Sequence, residues 1–280
     1  MPNCFFATDL HGHPDRYEKL SARIRDEAPA AVFLGGDLLP SRGAQPADFI
    51  SQFIVPGLFD LRTRLGDDYP RFFVIPGNDD PRCYEPLLLD AEEQGLWHYI
   101  HGRKAQFAGF DVYGCAYVPP TPFQLKDWER YDVSRYVDPG CVSPEEGSRS
   151  VPASESELRW TTIWGELATL LGDAALDRAI LVTHAPPYDT VLDRAALDGR
   201  MHDHVPLDVH VGSIAVKRLI EQRQPLLSLH GHVHESARLT GAWKTTMGRT
   251  VSINAAHDGS ELALVRFDPE SPAGATRELL

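Results

Sequence analysis

Five short apolar runs punctuate the chain, and each stops on residues that can bind a cation. "NCFFAT" at 3–8 leads to Asp9 and His11, and "AAVFLGGD" at 30–37 ends on Asp37. "RFFVIPGND" at 71–79 delivers Asn78, "RAILVTH" at 178–184 ends on His184, and "PLLSLHGHVHE" runs into His232 and His234. Continuous apolar runs of this length, bounded by Gly, Pro and Asp, read as strands buried on both faces. Such strands belong to α/β sheets, where ligand sites form beyond the carboxyl ends of the strands. The feature therefore constrains fold and chemistry together, because residues far apart between 9 and 234 must meet at one sheet edge.

The intervening segments fit that frame. "PDRYEKLSARIRDEA" places Tyr17, Leu20 and Ile24 at helical spacing, with Pro14 suited to a first turn. Helices are also predicted over 46–65, 81–94, 155–172 (N-capped by Ser154 or Ser156) and 213–223. Residues 105–117 read as a hairpin turning near Ala108-Gly109, and 236–268 as short strands. Alternating strands and helices imply a mixed α/β sheet, and the β-rich tail suggests a second sheet packed on the first. Between 119 and 155 periodicity fails, and Pro, Ser, Gly and charges dominate. That stretch reads as a surface-exposed insertion or loop, and 185–212 as a second long loop. No internal repeat is visible, so the expectation is one domain over 1–280 with an insertion at 119–155.

Composition narrows the function classes. A net charge of −13 without a Lys/Arg-rich run argues against binding long nucleic acids through their backbone. It leaves room for a small phosphorylated substrate, since bound cations can supply positive charge locally. The four cysteines lack C-x-x-C spacing, which disfavours a zinc finger, and a disulfide framework is not expected in a chain of this length. The start of the chain lacks a basic segment followed by a long apolar one, and no apolar run reaches membrane-spanning length. A cytoplasmic protein without a membrane partner is expected, and its oligomeric state is left open.

The donor types at the strand ends are oxygen and imidazole, with no thiolate. That set suits Mn, Fe, Zn or Ni and disfavours a structural zinc. Asp37, with two carboxylate oxygens, is the natural bridge between two ions. Gly12, Gly35 and Gly36 leave room for close backbone approach, and Gly231 lets the chain bend so that His232 and His234 reach one spot. Each piece alone is weak: Asp-x-His recurs by chance, Gly-Asp often marks a turn, and a lone His is often a core residue. The ordered set is much stronger than any member.

In that order, D-x-H (Asp9, His11), G-D (Gly36, Asp37), G-N-x-[D/E] (Gly77, Asn78, Asp80), H (His184) and G-H-x-H (Gly231, His232, His234), the chain resembles the calcineurin-like metallophosphoesterases. The resemblance implies a four-layer α-β-β-α sandwich of two mixed sheets holding two divalent metal ions. It implies that Asp9, His11 and His234 hold one ion, that Asn78, His184 and His232 hold the other, and that Asp37 bridges both. The activity expected is hydrolysis of a phosphodiester or phosphomonoester by a hydroxide lying between the two ions. Asp80 matches an acidic position that supports the loop.

Asp79 departs from the family, which commonly carries His there to assist the transition state or the leaving oxygen. Three readings stay open. Asp79 orients a water or another side chain; a different histidine (His13, His202, His204 or His210) fills the role; or the substrate's leaving group needs little protonation. His210 opens "HVGS", which resembles a recurring stretch in bacterial members of the family and precedes a helix whose N–H groups could meet an anion. Asp79 and His210 are thus the catalytic candidates. No role is expected for His98, His101 and His257, and His230 is expected to pack in or beside a strand. The rival reading is a non-catalytic metal-binding scaffold on the same fold. A Ser- or Cys-nucleophile hydrolase is disfavoured by the absence of G-x-S-x-G, and a P-loop protein by the absence of its motif.

Overall fold

The buried runs form strands in a computed structural model that describes residues 3–41 and 43–280; Met1, Pro2 and Arg42 lie outside the described residues. The first half alternates as expected: β1 (Cys4–Ala7), α1 (Pro14–Glu27) and β2 (Ala31–Leu34), then α2 (Pro46–Phe49), α3 (Val55–Leu65), β3 (Arg71–Val74), α4 (Glu85–Glu93) and β4 (His98–Tyr99). The predicted helix over 46–65 is continuous but rewinds as a π-helix over Ile50–Ile54. The cause is local: Pro56 has no N–H for the carbonyl four residues back, and the Val55 N–H donates to Ile50 O instead. The hairpin β5 (Lys104–Phe107) and β6 (Phe110–Cys115) turns where the sequence placed it.

The second half supplies α5 (Glu155–Trp160), α6 (Ile163–Leu171), β7 (Ala179–Thr183), a short hairpin of β8 (Met201–His202) and β9 (Val205–Pro206), α7 (Ile214–Arg223) and β10 (Leu227–His230). It closes with α8 (Ser236–Thr240), β11 (Lys244–Met247), β12 (Thr250–Asn254), β13 (Ala263–Phe267) and β14 (Thr276–Leu279). The single helix predicted over 155–172 is two helices. Thr161 and Thr162 are extended, and the Thr162 side chain accepts from Gly165 N to cap a new start, as Ser154 caps the first.

The strands build two six-stranded sheets, ordered β14-β13-β1-β2-β3-β4 and β11-β12-β10-β7-β6-β5. β1, β2 and β3 run parallel, as do β6, β7, β10 and β12. A second sheet packs on the first, as expected, but the tail does not supply it alone. It splits, adding β11 and β12 to one sheet and β13 and β14 to the other.

Alternation along each strand explains the layering. Phe5, Val32, Phe72 and Val74 face the helices α1, α3 and α4, whereas Phe6, Phe33 and Phe73 face the second sheet. Phe33 and Phe73 stack with ring centroids 5.1 Å apart. Each such buried side chain contributes about 2–3 kcal/mol. On the far side, Tyr113, Leu181 and Leu219 join α6 and α7 in a third cluster. Three apolar layers between four structural layers make the α-β-β-α sandwich. No described helix is long and apolar enough to cross a membrane.

The segment 119–155 is a loop, as expected, but its middle is buried rather than surface-exposed. It has no helix or strand before α5, yet Lys126, Asp127, Trp128, Glu129 and Arg130 are at most 2% exposed. Its polar groups bury because they satisfy one another. Lys126 Nζ lies 2.5 Å from Glu129 Oε2, and Glu129 also accepts from the Thr121 N–H and hydroxyl.

Candidate metal centre

The carboxyl ends of β1, β2, β3, β7 and β10 open on one site. Beyond β1, Asp9 is buried and held from behind, with Thr8 Oγ1 donating to its Oδ2 at 2.7 Å and Arg16 donating to its carbonyl. His234 Nε2 lies 2.9 Å from Asp9 Oδ1, and His11 Nε2 lies 3.2 Å from His234 Nε2. His11 Nε2 is 3.9 Å from both Asp9 Oδ1 and Asp37 Oδ2. Asp9, His11, Asp37 and His234 each present a ligand atom within 4.8 Å of the others, a group that could hold a metal ion.

Asp37 also faces the second set, with its Oδ2 3.3 Å from His184 Nε2. His184 is fully buried; its Nδ1 sits 2.8 Å from Gly35 O, which fixes the ring and turns Nε2 to the site. His184 Nε2 and Asn78 Oδ1 are buried without a hydrogen-bond partner among the described residues. Buried polar atoms left without a hydrogen bond are costly, and a cation at this spot would engage both. The His232 ring stands 5.3 Å from that of His184, and its backbone N–H donates to the Asp9 carboxylate. The chemistry of these donors, carboxylate, amide oxygen and imidazole, therefore fits a divalent cation.

The local chain is strained where the donors sit. Asp9, His11, Asp37 and His232 have φ of 56°, 46°, 53° and 70°, a left-handed conformation unusual for residues with side chains. Such strain persists where surrounding structure enforces it, and it clusters at functional sites. Gly77 and Gly231 are required by contact rather than by turning: a Cβ on either would collide with the carboxylate of Asp37 or Asp9, respectively.

Electrostatics explain how the donors coexist. Burial alone would push the Asp9 carboxyl up, but His234, His184 and His11 outweigh it and hold it well below its ordinary range. The same balance lowers Asp37, chiefly through His184. Burial works against the charged imidazole, yet Asp37 lifts His184 to about 10 and Asp9 lifts His234 to about 9. Protons thus stand where cations would, and metal binding would release them. His232, pushed to about 3 by burial and by His184, stays neutral with a free lone pair.

Asp80 supports the loop as expected. Its carboxylate accepts from the N–H groups of Leu38, Leu39 and Gly77 at 2.7–3.1 Å. Burial and Asp37 still push it up to about 7. Asp79 lies at the mouth of the site, where its Oδ1 accepts from Asn78 Nδ2 at 3.0 Å and its Oδ2 is 3.7 Å from His11 Nδ1. Burial, then Asp37, pushes its carboxyl up.

The histidines considered for the missing imidazole separate cleanly. His202 and His204 are exposed on the β8–β9 hairpin, and His13 is exposed at the start of α1. His210 lines a cavity of about 270 Å³ that His232 also lines. Its Nδ1 meets the fully buried Asp193 Oδ1 at 2.8 Å. Sequence reasoning missed Asp193, which also accepts from the N–H groups of Asp189, Thr190 and Gly212; nothing in "TVLDRA" marks it. The anion slot expected at the start of α7 is filled by the protein itself, since Asp132 accepts from Ile214 N, Ala215 N and Ser213 Oγ. His230 is buried, bonded to Thr183 and Ser228.

The family model of the calcineurin-like phosphoesterases matches residues 4–236. The chain belongs to this family. Over 111 residues it is 33% identical to the protein MJ1162 of Methanocaldococcus jannaschii, a match covering 39% of this chain and 44% of that protein. The chain thus aligns with less than half the length of that curated relative. Among solved structures it is similar to TT1561 of Thermus thermophilus (TM-score 0.56, 15% identity, 99% and 98% of the two chains). It is also similar to the phosphopantetheinyl hydrolase of Mycobacterium tuberculosis (0.53, 13%, 91% and 90%). A third is a dimetal phosphatase from Danio rerio (0.51, 12%, 95% and 93%). At these identities the structural matches show the shared fold.

Proposed function

We propose that this calcineurin-like phosphoesterase hydrolyses a phosphodiester or phosphomonoester of a small substrate, using two divalent cations. Asp9, His11 and His234 would hold one ion, Asn78, His184 and His232 the other, and Asp37 would touch both. The observation that carries this reading is the convergence of Asp9, His11, Asp37 and His234 to within 4.8 Å, beside the orphaned Asn78 Oδ1 and His184 Nε2. When bound, the cations supply Lewis-acid polarisation of the phosphoryl oxygens and lower the pKa of water at the site.

The chain's own residues divide the remaining work. Asp79 is a positioning group: by accepting from Asn78 Nδ2 it fixes the amide so that Oδ1 faces the site. His210, its Nδ1 2.8 Å from Asp193 Oδ1 and its Nε2 3.6 Å from Asp189 Oδ1, is the imidazole that would pass a proton to the leaving oxygen. Asp80 and the Thr8 hydroxyl fix the loops that carry the donors. Dimetal phosphatase and hydrolase neighbours on the same fold support the activity class.

The test is metal analysis of the purified protein, then turnover of bis(p-nitrophenyl) phosphate and p-nitrophenyl phosphate with Mn²⁺. About two metal equivalents per chain and metal-dependent turnover are expected. Bound metal without turnover of any mono- or diester would instead establish the scaffold reading that Asp79 raises.

A further inference from the structure

Two cavities stand out, and only one touches the candidate metal centre. The larger, about 340 Å³, lies between α1 and α3 on the outer face of the first sheet and is lined by none of the proposed ligands. The smaller, about 270 Å³, shares His232 with the site and His210 with the proposed proton donor. Its walls come from the two segments that sequence alone reads as loops. Pro119, Pro122 and Phe123 form one side, and Leu197, Leu207 and Val211 the other. The segments touch at Gly140, where a Cβ would lie 3.5 Å from Leu207 Cδ2 and 3.6 Å from the His202 ring.

The lining has a definite charge. Among the described residues it contains Asp138, Asp208 and Glu235 and neither lysine nor arginine. Asp208 is bonded to Tyr188 Oη and His210 N, and Glu235 to Ala196 N, but none of these donors is cationic. The apolar character extends outward: Phe123 is 61% exposed at the rim, and Met201 and Val205 are exposed on the adjoining hairpin. An organic group linked to a phosphoryl bound at the metal centre would enter this cavity beside His232.

Resting on the phosphoesterase reading, we propose that this cavity holds the organic moiety of the substrate. That moiety is apolar and neutral or cationic, and esters bearing a second anionic group, nucleoside polyphosphates included, are rejected. Specificity then comes from what is absent as well as from what is present. An anion held here, away from the metal centre, would face carboxylates with no lysine or arginine among the described lining residues to offset them. Burial and the neighbouring Asp208 already push the Asp138 carboxyl up, which is the same repulsion acting on the protein's own group.

The probes are three phosphonates that differ only at the far end of the ring: phenylphosphonate, 4-(trimethylammonio)phenylphosphonate and 4-carboxyphenylphosphonate. Each is titrated calorimetrically into Mn²⁺-loaded protein, with turnover of bis(p-nitrophenyl) phosphate measured on the same sample. The neutral and cationic compounds should bind at least about tenfold more tightly than the carboxylate. Asp138→Asn removes one wall charge at the same size and shape. It should narrow that gap by about threefold, with the circular dichroism spectrum unchanged. Phe123→Ser, at an exposed rim position, should weaken phenylphosphonate by about threefold. Equal affinities, or a preference for the carboxylate, in a protein that turns over the diester would overturn the pocket assignment and leave the phosphoesterase reading standing. Absence of both turnover and phosphonate binding would overturn the two together.

Discussion

Two buried polar regions sit side by side in this molecule and behave oppositely. In the segment 119–155, Lys126, Glu129, Asp127 and Arg130 bury their charges by pairing: Lys126 with Glu129, Arg130 with Glu157, and Asp127 with Ser150 and the Arg82 N–H. Among the described residues, only the Nε atoms of Arg130 and Arg149 lack partners there, each on a guanidinium whose other nitrogens are bonded. At the strand ends the pattern reverses. His184 Nε2 and Asn78 Oδ1, the very atoms that would bind an ion, make no hydrogen bond among the described residues, His184 Nε2 facing only the Asp37 carboxylate at 3.3 Å, and four donors stand in strained backbone. A polar cluster that completes itself is structure, and one left incomplete awaits something from outside.

The sharpest way to break this contrast is at Asp37, the carboxylate proposed to serve both sets of donors. Asp37→Asn keeps shape and removes the charge that faces His11 and His184. Mn²⁺-dependent turnover of bis(p-nitrophenyl) phosphate should fall at least about a thousandfold, about 4 kcal/mol. Circular dichroism should be unchanged. Near-wild-type rates would remove Asp37 from the reaction and leave the cluster without its link.

The matching experiment in the self-satisfied region is Lys126→Met. It strands Glu129, which is 1% exposed, with only Thr121 to hydrogen-bond it. Breaking a buried pair costs far more than the pair is worth, so urea unfolding should show a loss of about 3 kcal/mol. The double variant Lys126→Met/Glu129→Gln should recover more than half of it, since an amide oxygen still accepts from Thr121. If the single and double variants are equally unstable, the pair is not the organising element of the segment.

These two regions also differ in how far the sequence discloses them. The candidate donors could be picked out because each follows an apolar run at a strand's carboxyl end, and chemistry labels Asp, Asn and His without reference to partners. Asp80 was legible for the same reason. The burial of Lys126 and Glu129 was not, because a charged stretch reads as solvated until Thr121, Trp128 and each other are brought together by the fold. Trp128 and Tyr131 amid those charges were the available hint. Asp193 and Asp132 were silent too: each acts through backbone N–H groups that any sequence would supply. The division of the tail between two sheets depends on which edge each strand meets, and edge choice leaves no mark on a short apolar run.

A subtler break targets Asp79, which lies between the two behaviours. Its bond to Asn78 Nδ2 is the contact that leaves Asn78 Oδ1 aimed at the site. Asp79→Ala frees the amide to rotate, and loss of such outer support typically costs about 10–100-fold in metal affinity or activity. Stoichiometric metal titration should show one of the two binding events weakened and the other intact. Equal weakening of both, or of neither, would mean that Asp79 acts on something other than Asn78.

The smallest effect is expected at the seam where the regions meet. Trp128 Nε1 donates to Asp80 O at 2.6 Å, and the His101 ring packs against Trp128 and Tyr117 with centroids 4.9 Å and 4.8 Å away. His101 Nδ1 accepts from Ala116 N, so the ring sits neutral. Burial, then Arg82, Arg130 and Arg103, pushes it down to about 3. The unfolded chain takes up this proton as pH falls through about 6.5, and the folded chain does not until much lower, so the contribution is full above 6.5 and declines as pH drops toward 3. His101→Gln, whose amide oxygen can still accept from Ala116, should flatten that decline. Its stability relative to wild type should improve by about 1 kcal/mol between pH 7 and pH 5, a figure discounted because the ring is only partly shielded from solvent. Parallel pH profiles for the two proteins would show that His101 protonates inside the fold, and that the seam, unlike the segment behind it, does not keep its polar groups fixed.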